Sequence, residues 1–181
     1  MNNISMHILD IAQNSIRGEA SLIEIEVNEY VQEDILEIII KDNGRGMDNE
    51  MLTHVIDPYT TTRTTRKIGM GLPLLKHSAE QAGGYLMIDS KLEEGTIVSV
   101  RFKHSHIDRP PMGDLAGTIV LLVAANPEIE FKYIHQLNDN KYEFNTKEIK
   151  EVLEDVKIND PKIRGFLKEM IVENLNELYV L

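Results

Sequence analysis

The chain has 181 residues, no cysteine and a formal net charge of −11 at pH 7. This length suits one domain with or without an appendage, and the acidity argues against nucleic acid as a partner because phosphate backbones would be repelled. The lack of cysteine excludes disulfides and thiolate metal sites. The longest apolar run, residues 119–125, is too short to cross a bilayer, and no signal peptide opens the chain. We therefore expect a cytoplasmic protein without membrane contact.

Helix and strand patterns alternate through the first hundred residues. A helix begins near Asn3, carries apolar residues at helical spacing and ends at Gly18. The elements predicted after it are strands at residues 23–27 and 35–40, a turn at 42–44, a short helix near 49–55, an unpatterned loop at 57–69, a helix at 72–82, and strands at 85–89 and 96–102.

A linker follows, because residues 106–117 contain Pro110, Pro111, Gly113 and Gly117. Beyond it the patterns predict a strand at 118–125, a hairpin of 131–134 with 142–144, and a helix capped by Asn145. A last helix begins at Asp160 and Pro161, and its apolar stripe consists of Ile163, Phe166, Leu167, Met170, Ile171 and Leu178. We divide the chain into residues 1–104, a linker at 105–117, and an extension at 118–181 that either continues the sheet or forms a small subdomain.

The first helix carries a polar stripe opposite its apolar one. His7, Asp10, Asn14 and Arg17 are spaced three, four and three residues apart, so they share one face. A carboxylate, an amide and a guanidinium can together orient a water, ligate a hard cation and contact a phosphate. The alternative is an ordinary solvated face of an amphipathic helix.

Two glycine-containing motifs add to this stripe. Asp42 follows a buried strand, and the run from Gly44 through Gly46 to Met47 lets flat ligand atoms approach the backbone while the carboxylate accepts from an amino group. The alternative is a hairpin turn, although a helix rather than a returning strand is predicted next.

The second motif opens a helix. Gly69, Gly71 and Leu72 place backbone N–H groups and the positive end of the helix dipole where a phosphate can bind. The preceding loop holds the basic residues Arg63, Arg66 and Lys67, so it suits a lid over a small anion; the alternative is a solvated loop. Further on, His104 and His106 have no evident third ligand and are predicted to be exposed linker residues rather than a metal site.

In this order and spacing the motifs resemble the GHKL superfamily, the ATP-binding domain shared by histidine kinases, gyrase, a heat-shock chaperone and mismatch-repair ATPases. Residues 10–17 resemble the N box, 42–46 the first glycine box, 57–63 the start of the lid, and 69–72 the second glycine box. The match runs from about residue 3 to residue 103. It implies an α/β two-layer sandwich with a mixed, mostly antiparallel sheet covered by helices.

The resemblance also implies residue roles. Asn14 would ligate Mg²⁺ and Arg17 would contact phosphate, whereas Asp42 would accept from the adenine amino group. Gly46 would pack near the base, and Thr96 would reach it directly or through water. The remaining contacts to the triphosphate would come from the backbone of Gly69 to Leu72 and from Arg63 or Lys67.

Three departures from the family pattern bear on the reaction. Asp10 stands where hydrolysing members usually carry a glutamate general base, and Pro73 removes one N–H from the second glycine box. No histidine is followed by an acid, as a phosphoacceptor usually is, and the acceptor helix is missing. We therefore predict a stand-alone kinase that phosphorylates a partner protein; a slow ATPase and a nucleotide sensor without turnover remain alternatives. The last helix is predicted to serve that partner or a second copy of the chain.

Overall fold

The computed structural model describes residues 3–56 and 71–180. The helices are α1 (Ile4–Arg17), α2 (Asn49–Ile56), α3 (Gly71–Gln81), α4 (Leu115–Ala125), α5 (Thr146–Leu153) and α6 (Pro161–Val180). The strands are β1 (Leu22–Tyr30), β2 (Ile35–Asp42), β3 (Tyr85–Lys91), β4 (Gly95–Lys103), β5 (Glu130–Leu137) and β6 (Asn140–Asn145).

The described strands form one six-stranded sheet in the order β3-β4-β2-β1-β5-β6. The pairing of β1 with β5 is parallel, and the other four pairings are antiparallel. The mixed, mostly antiparallel sheet implied by the resemblance is therefore confirmed. It also decides between the two alternatives for the C-terminal segment, which continues the sheet through β5 and β6.

The sheet has one apolar face and one charged face, because its strands alternate apolar and polar residues. On the apolar face, helices α1, α3 and α4 contribute to one continuous core, whose largest fully buried side chains include Ile4, Ile8, Leu75, Phe102, Ile119 and Phe131. The other face carries cross-strand ion pairs such as Arg101 with Glu37. The side chains of the candidate site described below belong to α1, to the ends of β2 and β3, to β4 and to the start of α3.

The predicted strand at residues 118–125 is wrong, because these residues belong to helix α4. A continuous apolar run fits a buried helix as well as a buried strand, so its period carries little information. Asp114 accepts a hydrogen bond from the N–H of Gly117 and thereby caps the helix. Packing against α1 and α6 then buries most of the helix. No helix among the described residues is long and apolar enough to span a membrane.

The predicted linker holds the first helix in place. The carbonyl oxygens of Pro111 and Met112 accept 2.9 Å hydrogen bonds from the N–H groups of Ile4 and Ser5. These donors belong to the first turn of α1 and have no partner within the helix. The segment that looks like a linker by composition therefore completes the N-terminus of the helix that carries the polar stripe.

The last helix docks on the sheet through fewer residues than predicted. Leu167, Ile171 and Leu178 are buried, as the stripe requires, but Phe166 is 62% exposed and does not belong to the packed face. One turn of the α-helix advances 3.6 residues, so neighbouring positions 166 and 167 point in directions about 100° apart. The pattern therefore included one residue too many.

A buried polar cluster fastens the end of this helix to the sheet. The carboxylate of Glu29 lies 2.8 Å from Nε2 of both His135 and His104, and it also accepts from the hydroxyl of Tyr179. A carboxylate can only accept, so each Nε2 carries the proton. Burial acts to raise the pKa of Glu29, but the hydrogen bonds from His135, Tyr179 and His104 lower it to about 2. His104 is therefore part of this cluster, and the prediction that it is an exposed linker residue is wrong.

Candidate functional site

The polar stripe of α1 runs from the core to the surface. His7 is 2% exposed, Asp10 and Asn14 are half-buried, and Arg17 is exposed. Burial lowers the pKa of His7, which favours the neutral imidazole. The stripe is therefore not an ordinary solvated face, because its first residue lies inside the core and its second and third are partly enclosed.

The Asp10 carboxylate brings the first helix against the second glycine motif. A Cβ atom added at Gly71 would lie 1.5 Å from Asp10 Oδ2, so only glycine permits this contact. Asp10 Oδ2 is buried and has no hydrogen-bond partner among the described residues. A buried carboxylate oxygen without a partner is costly for stability, and it is the kind of group that a substrate hydroxyl or a water can satisfy.

Asn14 and Arg17 lie on the following turn of α1. The guanidinium Nη1 of Arg17 donates a 3.0 Å hydrogen bond to Oδ1 of Asn14. The amide oxygen is a hard donor of the kind that Mg²⁺ prefers. Among the described residues, no group of three or more acidic or histidine side chains is arranged to hold a metal ion. A metal here would rely on Asn14 together with oxygens from a bound ligand, which is the usual situation for Mg²⁺ at nucleotides.

Asp42 ends β2 with its carboxylate held on both oxygens. Oδ2 accepts a hydrogen bond from Ser15 Oγ at 2.5 Å, and Oδ1 accepts from the N–H of Gly44 at 2.9 Å. Both donors orient the carboxylate, and its remaining lone pairs stay available as acceptors. The group can therefore receive a hydrogen bond from an amino group and would repel a carbonyl oxygen.

The glycine motif after Asp42 forms a loop that is held by side-chain hydrogen bonds, and it is not a hairpin turn. Oδ1 of Asn43 accepts from the N–H groups of Ser21 and Leu22, which ties the loop to the start of β1. The chain then enters α2, so this loop does not join β2 to a strand that pairs with it. Gly46 has φ +64°, and a Cβ atom there would lie 2.0 Å from the Lys91 carbonyl oxygen, so no other residue fits without a shift.

Thr96 lies next to Asp42 in the sheet. The two residues are register partners on β4 and β2, and Ser90 on β3 is the register partner of Thr96 on its other side. Ser90 Oγ lies 2.8 Å from Thr96 Oγ1 and accepts a 2.9 Å hydrogen bond from the N–H of Met47. The hydroxyl group of Ser90 therefore connects the first glycine motif with β4.

The structure thus brings together most of the predicted site residues that it describes. Asp10 contacts Gly71, Asn14 contacts Arg17, and Asp42 lies beside Thr96, with Gly44, Gly46 and Met47 around it. Leu72 follows Gly71 in the first turn of α3 and is buried in the core. The predicted residues Arg63, Lys67 and Gly69 lie outside the described residues.

Two residues of the site were missed in the sequence. Ser15 lies four residues after Ile11 on the apolar side of α1, and Ser90 follows Leu86 and Ile88 in the inward alternation of β3. A hydroxyl at a core-facing position needs a hydrogen-bond partner. That rule was sufficient to single out both serines, although it does not say which partner they find.

Comparisons with known proteins agree with this geometry. The family model described as histidine kinase-, DNA gyrase B-, and HSP90-like ATPase matches residues 3–106, more than half of the chain. The putative NtrY-like sensor histidine kinase of Rickettsia conorii is 32% identical over 108 residues, which are 60% of this chain and 18% of the relative. Sensor histidine kinase YvrG of Bacillus subtilis is 29% identical over 94 residues, or 50% of this chain and 16% of the relative. The chain thus spans less than a fifth of the length of these curated relatives.

Solved structures show the same fold at low sequence identity. The ATPase domain of MutL from Aquifex aeolicus, solved in complex with ADP, has a TM-score of 0.55 and 15% identity, and the match covers 84% of this chain and 69% of that chain. A DNA repair protein's N-terminal domain has a TM-score of 0.54 and 17% identity, over 79% of this chain and 52% of that chain. Together with the matched family model, these observations lead to one conclusion: the chain belongs to the family of histidine kinase-, DNA gyrase B- and HSP90-like ATPases.

Proposed function

We propose that this protein binds Mg-ATP and transfers the γ-phosphate to a partner protein in the cytoplasm. The proposed ATP binding rests on one observation. Asp42 and Thr96 lie side by side on neighbouring strands, and the first glycine loop flanks them. The proposed kinase activity is supported by the relatives of similar sequence, several of which are sensor histidine kinases.

The base would bind at this row. Asp42 accepts from the adenine amino group, and Thr96 meets the adjacent ring nitrogen directly or through a water. Gly46 would pack near the base, and its loop requires glycine there because a Cβ atom would lie 2.0 Å from the Lys91 carbonyl oxygen. The carboxylate is oriented before the ligand arrives, so little ordering is needed on binding.

The phosphates would lie between α1 and the start of α3. Asn14 supplies an amide oxygen to Mg²⁺, and Arg17 supplies positive charge from the same helix turn. The positive end of the α3 dipole and the N–H groups near Gly71 and Leu72 favour an anion there. We include Arg63, Lys67 and Gly69 in the phosphate contacts on the strength of the sequence motif. Bound Mg²⁺ would neutralise part of the phosphate charge.

Asp10 would accept the proton of the attacking hydroxyl group. Its buried Oδ2 has no partner among the described residues and lies against Gly71, where the terminal phosphate would be held. The oxygen of that hydroxyl forms the new bond to the γ-phosphorus while ADP leaves. A serine or threonine hydroxyl of a partner gives a kinase, and a water gives the alternative, a slow ATPase.

The acceptor is proposed to be on another polypeptide. None of the six histidines in this chain is followed by aspartate or glutamate. Incubating the protein with γ-labelled ATP in extract of the source cell tests the proposal. Label on another protein supports the kinase, whereas free phosphate alone supports the ATPase. ATP binding with neither product leaves a nucleotide sensor and contradicts the catalytic role of Asp10.

Asp10→Asn separates binding from chemistry. We expect the Kd for ATP to stay within about threefold of the unmodified protein, because the amide keeps the size of the carboxylate. Transfer or hydrolysis is expected to fall by about a hundredfold or more, since the amide cannot accept the proton. Calorimetry gives the first quantity and release or transfer of labelled phosphate gives the second. Unchanged turnover would show that Asp10 is not the general base.

A further inference from the structure

We propose that two copies of this chain associate through an antiparallel pair of α6 helices. The surface involved is not used by the proposed ATP binding, so either proposal can fail without the other. Helix α6 packs on the rest of the chain through Leu167, Ile171 and Leu178, and most of its other residues are exposed. A groove of about 580 Å³ runs along this exposed side, and Val120 of α4 contributes to its wall.

The residues of α6 that line this groove form one stripe. Their positions are three or four residues apart, so they share one face of the helix over about three turns. The stripe consists of Arg164, Gly165, Lys168, Glu169, Val172 and Glu173. Its first half is therefore basic and its second half is acidic.

The order of charges along α6 is unfavourable for a single chain. The N-terminal end of a helix carries partial positive charge and the C-terminal end carries partial negative charge. The first turn of α6 has no acidic residue but contains Arg164, and the last turn has no basic residue but contains Glu177. Among the described residues, the ion pairs of this helix include Lys168 with Asp114 but neither Arg164 nor Glu173. A second helix that runs in the opposite direction would supply the missing opposite charges.

An antiparallel copy pairs the two halves of the stripe. With a two-fold axis between positions 168 and 169, Arg164 faces Glu173 of the second copy, and Lys168 faces Glu169 of the second copy. In such a symmetric contact each pair occurs twice. Exposed ion pairs contribute little affinity individually, so their main effect is to fix the direction and the register of the helices.

The apolar part of the contact comes from Val172 and Gly165. Val172 is 39% exposed. A Cβ atom at Gly165 would meet no atom within 4 Å, so the fold of the single chain does not require glycine at this position. Glycine in the interior of a helix is nevertheless unfavourable. In the antiparallel register Gly165 faces Val172 of the second copy, and the missing side chain leaves room for it.

Sedimentation equilibrium of the unmodified chain tests the association. We expect a monomer–dimer equilibrium with a Kd on the order of 10 µM, because a contact of about three helical turns is smaller than a standard interface. A chain that stays monomeric up to about 300 µM would overturn the proposal. The stripe would then serve another polypeptide.

Charge reversal tests which surface associates. Arg164→Glu and Glu173→Arg should each raise the dimer Kd by at least about tenfold, because like charges then oppose each other at both ends of the contact. An equimolar mixture of the two variants should dimerise again, since every acid then meets a base of the other chain. The double variant, with both changes in one chain, should dimerise as the unmodified chain does. Association that neither single change weakens, or that the mixture does not restore, contradicts the proposal.

Two further variants test the register and provide the control. Gly165→Leu fills the space for Val172 and should raise the dimer Kd by at least about tenfold, while the helical circular dichroism stays unchanged. Glu151→Arg makes the same charge change as Glu173→Arg at an exposed position of α5, outside the stripe, and should leave the dimer Kd unchanged. Undiminished dimerisation of Gly165→Leu would show that the helices do not meet in this register and would overturn the proposal.

Discussion

Asp42→Asn is expected to weaken ATP binding by at least about a hundredfold while leaving the fold intact. The oxygen of the new amide must face the N–H of Gly44, because an NH₂ group there would meet another donor. The NH₂ group then faces Ser15 and the ligand. Ser15 can rotate its hydroxyl and accept instead, but the adenine amino group cannot, so two donors oppose each other in the pocket. Isothermal calorimetry with Mg-ATP measures the loss.

The matched control is Asp48→Asn. Asp48 lies six residues further on and caps α2 by accepting from the N–H of Met51 at 2.8 Å. Asparagine caps helices as well as aspartate does, so this variant should bind ATP as the unmodified protein does. If Asp42→Asn binds with unchanged affinity in a protein that binds ATP, the base is received elsewhere and the proposed site is wrong.

Glu29→Gln is expected to lower the free energy of unfolding by about 3–4 kcal/mol at pH 7. The folded chain holds the pKa of Glu29 at about 2, against 4.5 when it is unpaired, and such a difference corresponds to a stabilisation of about this size. An amide in its place can accept on one atom only, so the donors from His135, His104 and Tyr179 are no longer all satisfied. Urea unfolding followed by circular dichroism measures the change.

The pH dependence of the same variant gives an independent check. Because the folded pKa lies below the unfolded one, the contribution of Glu29 is complete above about pH 4.5 and is lost as the pH falls towards 2. As the pH falls from about 4.5 to 2, the free energy of unfolding of Glu29→Gln should therefore decrease less than that of the unmodified protein. Glu26→Gln, on the same strand, should change the free energy of unfolding by less than about 0.5 kcal/mol. Equal effects of the two variants would contradict a special role for the Glu29 cluster.

Local sequence patterns predicted the helices and strands around the candidate site well. The period of two in β1 and the helical spacing in α1 both bury an apolar face, so the pattern and the structure have the same cause. The contact of Asp10 with Gly71 joins residues sixty-one positions apart, and only the resemblance to a known family placed them together. Within the described residues, the candidate site therefore rests on motif order rather than on local physics.

The wrong predictions concern residues whose local pattern fits two structures or whose hydrogen-bond partner is distant in the sequence. The apolar run in α4 fits either period, and what makes it a helix is a cap at Asp114 and a place between α1 and α6. His104 looked exposed because its partner Glu29 is seventy-five residues earlier in the chain. Ser15 and Ser90 were missed for the same reason, since the sequence does not show which distant residue a serine hydroxyl contacts. Long-range hydrogen bonds leave little trace in one sequence.

The parallel pairing of β1 with β5 has a consequence for how this protein can be divided. The family match ends at residue 106, but the sheet continues past it. A fragment cut at that point would leave the nine-residue strand β1 as a bare edge, with a row of unpaired peptide groups ready to pair with other molecules. Among the described residues the outermost strand on that side is β6, which is shorter and carries Lys141 and Glu143. Residues 130–145 thus cover the edge of β1 and leave a shorter, charged strand at that side of the described sheet.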